Sequence, residues 1–209
     1  PAWGLALIAL TMPFYVPPLH PIILALRFSP VEVFTLVTLA AWGVPQLMDD
    51  LSRTRGGRAR FVETKYIALL DRPVVASGEM SFTTPDRLEK RTLTPRPEVL
   101  LLDKDRLTLE RGQHKLSIDL ASQPEAMAFV DSIRGALTGN RQALERNYAL
   151  HLAGSRDNWT LTLLPSEQAI AAIVQKITIT GQRNRIRSIE YLQADGDRAV
   201  MNIEPLPDK

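Results

Sequence analysis

The chain has 209 residues, of which 45% are hydrophobic and 23% are charged, a composition that is typical of a globular protein and excludes a disordered one. The 25 basic and 23 acidic residues leave a formal net charge of only +2, which predicts no electrostatic surface for nucleic acid. The absence of cysteine excludes disulfides, thiolate metal sites and thiol nucleophiles.

The first 41 residues differ from the rest, because only Arg27 and Glu32 carry a charge there. Prolines interrupt this segment, so it lacks the run of about 20 apolar residues that a simple membrane-spanning helix needs. The apolar run from Val33 to Ala41 ends in small residues, as the apolar region of a signal peptide does. We therefore expect residues 1–41 to be a leader, either a cleaved signal peptide or an uncleaved membrane anchor, and residues 42–209 to form one domain.

After this leader, apolar residues recur at helical spacing over residues 42–53, which predicts a short amphipathic helix. The hydrophobic period then changes to two, which indicates β-strands. The first group of predicted strands covers residues 61–67, 74–83, 88–93, 99–102, 107–110 and 115–120. Because the turns between these segments are very short, consecutive strands are expected to be antiparallel neighbours.

A second helix interrupts the strands. Ser122 and Glu125 have the spacing of a capping box, Pro124 lies in the first turn, and Gly139 marks the end. The apolar stripe of this helix consists of Met127, Val130, Ile133 and Leu137. A shorter helix is predicted over residues 141–147, one or two helical turns over residues 168–173, and further strands over residues 148–152, 159–164, 176–180, 185–193 and 199–203.

These elements predict a mainly β protein of the α+β class, built on one large, strongly twisted antiparallel sheet. Such a sheet can close into a barrel, split into a sandwich, or curl beneath helices. The two predicted amphipathic helices have no other helical layer to join, so we expect them to cover the concave face of a curled sheet. The enclosed space would be apolar and filled either by side chains or by a ligand. The candidate lining residues, each of which could equally be ordinary core, are Met80, Phe82, Leu88, Leu107, Leu109, Leu161 and Leu163.

The sequence contains no pattern typical of an enzyme active site. Its three histidines, His20, His114 and His151, have no partner at metal-ligand spacing, and no HExxH, GxSxG, P-loop or GxGxxG pattern occurs. We therefore expect a binding protein without catalytic residues, cofactor or metal.

The densest basic cluster consists of Arg183, Arg185 and Arg187. On alternate positions of a strand these arginines would share one solvated face. They are candidates for contact with an anionic lipid headgroup or with a partner protein.

Over residues 42–206 the chain resembles the LolA-type periplasmic lipoprotein carriers. The matching stretches are residues 60–65 after the opening helix, residues 77–82 leading to Pro85, residues 159–165, and Gly196-Asp197 before the last strand. The order of these short stretches carries the resemblance. It implies a half-barrel with a helical lid formed by the Met127, Val130, Ile133 and Leu137 helix. It also implies a monomeric carrier that binds the acyl chains of a lipoprotein in the periplasm, with transport partners in the inner and outer membranes.

One position departs from the pattern of that family. The family arginine that takes part in lid opening and closing stands just before the proline that corresponds to Pro85, and this chain has Thr84 there. A family aromatic residue falls at about Lys90, and Arg87 or Arg91 are the candidates to replace the missing arginine. We therefore expect the cargo to be a lipoprotein or another lipid. The alternative function is a periplasmic sensor or scaffold on the same fold, with a filled core and no lipid cargo.

Overall fold

The computed structural model describes residues 43–207. The predicted leader, residues 1–41, lies outside the described residues. Within residues 43–207, no helix is both long enough and apolar enough to cross a membrane.

The described residues contain one antiparallel sheet of eleven strands. The strands are β1 (Gly56–Tyr66), β2 (Val74–Thr83), β3 (Arg87–Thr94), β4 (Glu98–Asp103), β5 (Arg106–Arg111), β6 (His114–Asp119), β7 (Tyr148–Ser155), β8 (Asn158–Pro165), β9 (Val174–Gln182), β10 (Arg185–Gln193) and β11 (Arg198–Pro205). Their order across the sheet is β6-β5-β4-β3-β2-β1-β11-β10-β9-β8-β7. The edge strands β6 and β7 do not pair with each other, so the sheet is curled and open. The predicted half-barrel of the α+β class is confirmed.

Four helices accompany the sheet within the described residues. They are α1 (residues 43–52), α2 (Pro124–Thr138), α3 (Arg141–Asn147) and α4 (Gln168–Ala171), and a 3-10 turn covers Leu120–Ser122. The helix α2 ends at Gly139 with a left-handed φ of 64°, as the sequence predicts.

The predicted capping box of α2 is wrong. The residue that precedes the helix is Gln123, and it makes no side-chain capping hydrogen bond. The hydroxyl of Ser122 instead donates to the carbonyl oxygen of Asp119 at 2.8 Å. The 3-10 turn between β6 and α2 therefore uses the serine that the sequence pattern assigned to the helix.

The packed core occupies one half of the sheet. Its buried residues come from the four helices and from β7–β10: Leu47, Met48, Leu51, Ala128, Ala136, Leu144, Tyr148, Trp159, Leu161, Leu163, Ile170, Val174, Ile177, Ile179 and Ile186. The strands β2–β6 contribute no residue to this cluster. Where they are buried, as at Leu102, they pack outside it. The β2–β5 half of the sheet is therefore less completely filled than the β7–β10 half.

Candidate ligand-binding cavity

An apolar cavity of about 310 Å³ lies between α2 and the β2–β5 half of the sheet. The strands supply Phe82, Leu88, Leu100, Leu102 and Leu107, and α2 supplies Ala126, Phe129, Val130, Ile133 and Leu137. Leu120 and Ile173 complete the apolar lining, and Asp86 and Arg134 are its charged members. A cavity with so few polar groups suits an apolar ligand.

The floor of the cavity is a row of directly paired positions. Phe82 pairs with Leu88 between β2 and β3, Leu88 pairs with Leu102 on β4, and Leu102 pairs with Leu107 on β5. Directly opposed residues in a sheet share one face and lie side by side. Two-residue alternation along each strand thus places one large apolar side chain from each of four strands in a continuous row.

The structure separates the seven predicted lining residues into three groups. Phe82, Leu88 and Leu107 line the cavity. Leu161 and Leu163 have no exposed surface and pack in the core cluster on the other half of the sheet. Met80 and Leu109 are half-buried and are not among the lining residues.

Three of the four predicted lid residues, Val130, Ile133 and Leu137, line the cavity from α2. The fourth, Met127, is half-buried and outside the lining. Phe129, which is not among the predicted site residues, also lines the cavity and contacts Tyr191 of β10 edge-to-face, with ring centroids 5.7 Å apart and planes at 77°. This aromatic pair links α2 to the filled half of the sheet.

Polar contacts of Arg134 join α2 to the turn between β4 and β5. The Nη2 group of Arg134 donates to the carbonyl oxygen of Lys104, and Nη1 lies 3.8 Å from the carboxylate of Asp105 and 3.4 Å from that of Asp131. The buried Nε of Arg134 has no hydrogen-bond partner in the described residues. Burial raises the pKa of Asp131, and the charge of Arg134 opposes this effect. The arginine thus holds the helix over one rim of the cavity.

Arg87 and Arg91, the two candidates to replace the family arginine, contact carboxylates on the sheet. Arg87 pairs with Asp103 at 3.3 Å, and Arg91 pairs with Glu89 of its own strand at 2.7 Å. Neither arginine contacts α2 through an ion pair, whereas Arg134 of α2 contacts the β4–β5 turn.

An ion pair between the buried Glu63 and the half-buried Lys90 lies near the middle of the sheet. The Glu63 side chain is 4% exposed, and its Oε2 accepts a hydrogen bond from Lys90 Nζ at 2.6 Å. The Tyr191 hydroxyl donates to Oε1 at 3.4 Å, and Lys90 Nζ lies 4.8 Å from the centre of the Phe61 ring. Burial, reinforced by the charge of Glu63, raises the pKa of Tyr191. The position that the family resemblance gave to an aromatic residue here holds a lysine whose charge is compensated by a carboxylate and a ring.

The three predicted partner-binding arginines lie at one end of β10. Arg185 and Arg187 are exposed at alternate positions of this strand. Arg183 lies in the β9–β10 turn with a φ of 53° and pairs with Asp157 at 2.8 Å. Among residues 43–207, no group of histidine and acidic side chains is arranged to hold a metal ion.

The fold and the cavity together define an open half-barrel with an apolar space beneath a helix. The family described as outer membrane lipoprotein carrier protein LolA-like matches residues 38–202. Because this match spans most of the sequence, the chain belongs to that LolA-like family. A comparison with curated protein sequences finds no significant match.

Several solved structures are similar to this chain in fold. A LolA superfamily protein from Nitrosomonas europaea is 10% identical with a TM-score of 0.42, and the match covers 81% of this chain and 94% of that one. A DUF1329 family protein from Desulfovibrio piger is 9% identical with a TM-score of 0.44, covering 79% and 90%. A chain of the Pseudomonas aeruginosa MucA/MucB complex is 13% identical with a TM-score of 0.42, covering 80% and 59%. At these values the likenesses support no conclusion about function.

Proposed function

We propose that this protein is a periplasmic carrier that binds the acyl chains of a lipoprotein, or of another lipid, and hands the cargo towards the outer membrane. The observation that carries this proposal is the apolar cavity beneath α2, whose floor is the row from Phe82 to Leu107. Membership of the LolA-like family supports it. The protein acts by binding and release and needs no catalytic group.

The cavity offers a favourable environment to a hydrocarbon chain. Each methylene removed from water gains about 0.8 kcal/mol, so a long acyl chain gains on the order of 10 kcal/mol when it is fully buried. Only Asp86 and Arg134 bring charges to the lining, and the guanidinium of Arg134 is already bonded to Lys104. Binding therefore desolvates few polar groups that would lose their hydrogen bonds.

A carrier must also release its cargo, and α2 is the element that can open. The face of α2 with Val130, Ile133 and Leu137 borders the cavity instead of packing against β2–β5. Tilting the helix away from this half of the sheet, with Ala128 and Ala136 kept in the core cluster, therefore breaks few apolar contacts with β2–β5. The contacts of Arg134 with the β4–β5 turn are the main polar contacts to be broken. A receptor that binds the open form better than the closed form would shift this equilibrium and release the cargo.

The test is to purify the full chain from a bacterial envelope without detergent and to record native mass spectra before and after adding palmitate or a lipopeptide. We expect a co-purifying lipid or the uptake of an added one. In Ile133→Asp a charge enters the cavity, so uptake should fall. In the matched control Val62→Asp the same charge lies on the exposed face of β1, where Val62 is 46% exposed, so uptake should persist.

A clean apo mass with no uptake of either ligand would contradict the carrier function. Equal uptake by Ile133→Asp and Val62→Asp would place the ligand elsewhere. Circular dichroism of both variants establishes that they are folded before uptake is compared.

A further inference from the structure

The loop between β1 and β2 (residues 67–73, the β1–β2 loop) exposes large apolar side chains. Leu69 is 94% exposed and Leu70 is 50% exposed, and Tyr66 and Val75 at the flanking strand ends are 45% and 53% exposed. Soluble proteins seldom concentrate apolar surface at one projecting point without a binding role. The rest of the described structure gives these two leucines no packing function.

Hydrogen bonds hold the loop in this conformation. The amide of Leu70 donates to the carbonyl oxygen of Ile67 at 2.9 Å, and the amide of Ala68 donates to the Asp197 carboxylate at 2.9 Å. Asp197 is itself fixed in the β10–β11 loop, because its carbonyl oxygen accepts from the amide of Gln193 at 2.8 Å. These hydrogen bonds fix the turn in a conformation that leaves both leucines exposed.

Hydrogen bonds through the β10–β11 loop also connect the β1–β2 loop with the cavity. In the β10–β11 loop, the amide of Ala194 donates to the carbonyl oxygen of Ile173 at 3.0 Å. Ile173 is 47% exposed and lines the cavity. The exposed leucines and an exposed part of the cavity wall are thus attached to one short loop at the same end of the sheet.

Two exposed arginines and an aromatic ring lie at this end of the sheet, next to the carboxylate of Asp197. Arg72 in this loop and Arg96 in the adjacent loop between β3 and β4 are exposed, and neither forms an ion pair within residues 43–207. Asp71 is the single carboxylate of these two loops. The guanidinium of Arg198 lies 5.3 Å from the centre of the Tyr66 ring. Leucine at the tip with tyrosine and arginine behind it is the arrangement that suits a membrane interface.

We infer that the β1–β2 loop docks this protein on a bilayer that contains anionic phospholipids. Leu69 and Leu70 enter the acyl region, and Arg72 and Arg96 lie at the phosphate groups. The size of the patch favours a bilayer over a protein, because a stable protein interface needs about 20–30 residues on each side and this tip offers only a few. Docking goes beyond the carrier function and needs no cargo in the cavity.

The absence of cysteine permits a site-specific test on the full chain. Leu69→Cys carries an environment-sensitive NBD label, and the matched control is Asn158→Cys at the opposite end of the sheet, where Asn158 is also exposed. Both proteins are mixed with vesicles of phosphatidylethanolamine and phosphatidylglycerol. We expect the NBD fluorescence to shift to the blue and to be quenched by nitroxide lipids when the label is at residue 69, but not when it is at residue 158. Both proteins carry the same residues 1–41, so a difference between the two labels reports the loop.

A second variant measures the contribution of the loop without a label. Leu69→Ser should weaken partition into the same vesicles by about tenfold, since burial of one leucine accounts for about that factor. Leu116→Ser, which replaces a leucine that is 54% exposed on β6, should leave partition unchanged.

Three results would overturn the inference. The first is a label at residue 69 that stays as water-exposed as the label at residue 158 in the presence of vesicles. The second is shielding of residue 69 at high protein concentration without lipid, which would mean that a second copy covers the loop. The third is shielding by a soluble envelope protein fraction but not by vesicles. Palmitate uptake measured without vesicles tests the carrier function separately, so the two proposals can fail independently.

Discussion

Truncating one leucine to alanine should lower the free energy of unfolding by very different amounts on the two halves of the sheet. Leu163 on β8 has no exposed surface and packs in the core cluster. Leu163→Ala removes three buried carbons and leaves a void that rigid neighbours cannot fill, so it should lower the free energy of unfolding by about 3–5 kcal/mol. Leu107 on β5 is half-buried and already borders a cavity of about 310 Å³. Leu107→Ala therefore creates no new void and should cost about 1 kcal/mol for the apolar area that it loses.

The assay is urea unfolding of the full chain, followed by far-ultraviolet circular dichroism, for the wild type and both variants. Equal slopes against urea show that the difference lies in stability and not in the extent of unfolding. Palmitate affinity is then measured below the transition, where Leu107→Ala should change it and Leu163→Ala should not. A cost for Leu107→Ala as large as that for Leu163→Ala would refute this reasoning, because it would mean that side chains fill the cavity in solution.

Three further predictions follow from the polar contacts. Arg134→Met should speed palmitate release by about tenfold in stopped-flow displacement, because it removes a charged hydrogen bond that holds α2. An unchanged rate would mean that this hydrogen bond does not restrain the helix. Glu63→Gln should lower the free energy of unfolding by about 1.5–3 kcal/mol, because the half-buried Lys90 loses the charge of its hydrogen-bond partner. The double variant Glu63→Leu with Lys90→Met should recover most of that loss in urea unfolding. Burial raises the pKa of Tyr148 from its ordinary value of 10.0 to about 12, so the folded state keeps this proton at pH values where the unfolded chain loses it. Its contribution to stability is complete below pH 10 and is lost as the pH rises towards 12. Tyr148→Phe should therefore make the free energy of unfolding, measured with urea, fall less steeply over that range, by about 1.4 kcal/mol per pH unit at most.

The sequence predicts the strands well where turn residues bound them. The limits of β2 and β10 agree with the predictions for residues 74–83 and 185–193, because proline, asparagine and glycine stand beside these alternating segments. The strand β1 begins at Gly56, five residues before the predicted strand over residues 61–67, because Gly56 and Gly57 have the sequence pattern of a turn. These glycines pair with Thr83 and Phe82 of β2, and a Cβ at Gly56 would approach the carbonyl oxygen of Phe82 to 2.5 Å. A contact between strands that far apart in sequence leaves no local pattern.

The cavity was harder to predict than the strands. Alternation shows that Leu107 and Leu163 belong to inward-facing rows, but it carries no information on which half of the sheet the helices fill. That choice depends on contacts such as Leu51 of α1 and Leu144 of α3 in the core cluster, which are distant in sequence.

Arg134 could have been found from spacing. It stands four residues after Val130 and three before Leu137, which places it on the apolar face of α2. A charged residue in that position is a signal of a specific partner. The sequence could not identify this partner as the carbonyl oxygen of Lys104, because the β4–β5 turn approaches the helix only in the folded chain.

The unpaired edges of the sheet bear on the width of the apolar cavity. A closed barrel has an interior whose width is set by strand number and stagger, and widening it means breaking a ladder of hydrogen bonds. Here β6 and β7 are the two ends of the eleven-stranded order, and no ladder joins them in the described residues. The curl can therefore loosen by small changes in twist between neighbouring strands while every interstrand hydrogen bond is kept. One scaffold can in this way enclose apolar cavities of different width.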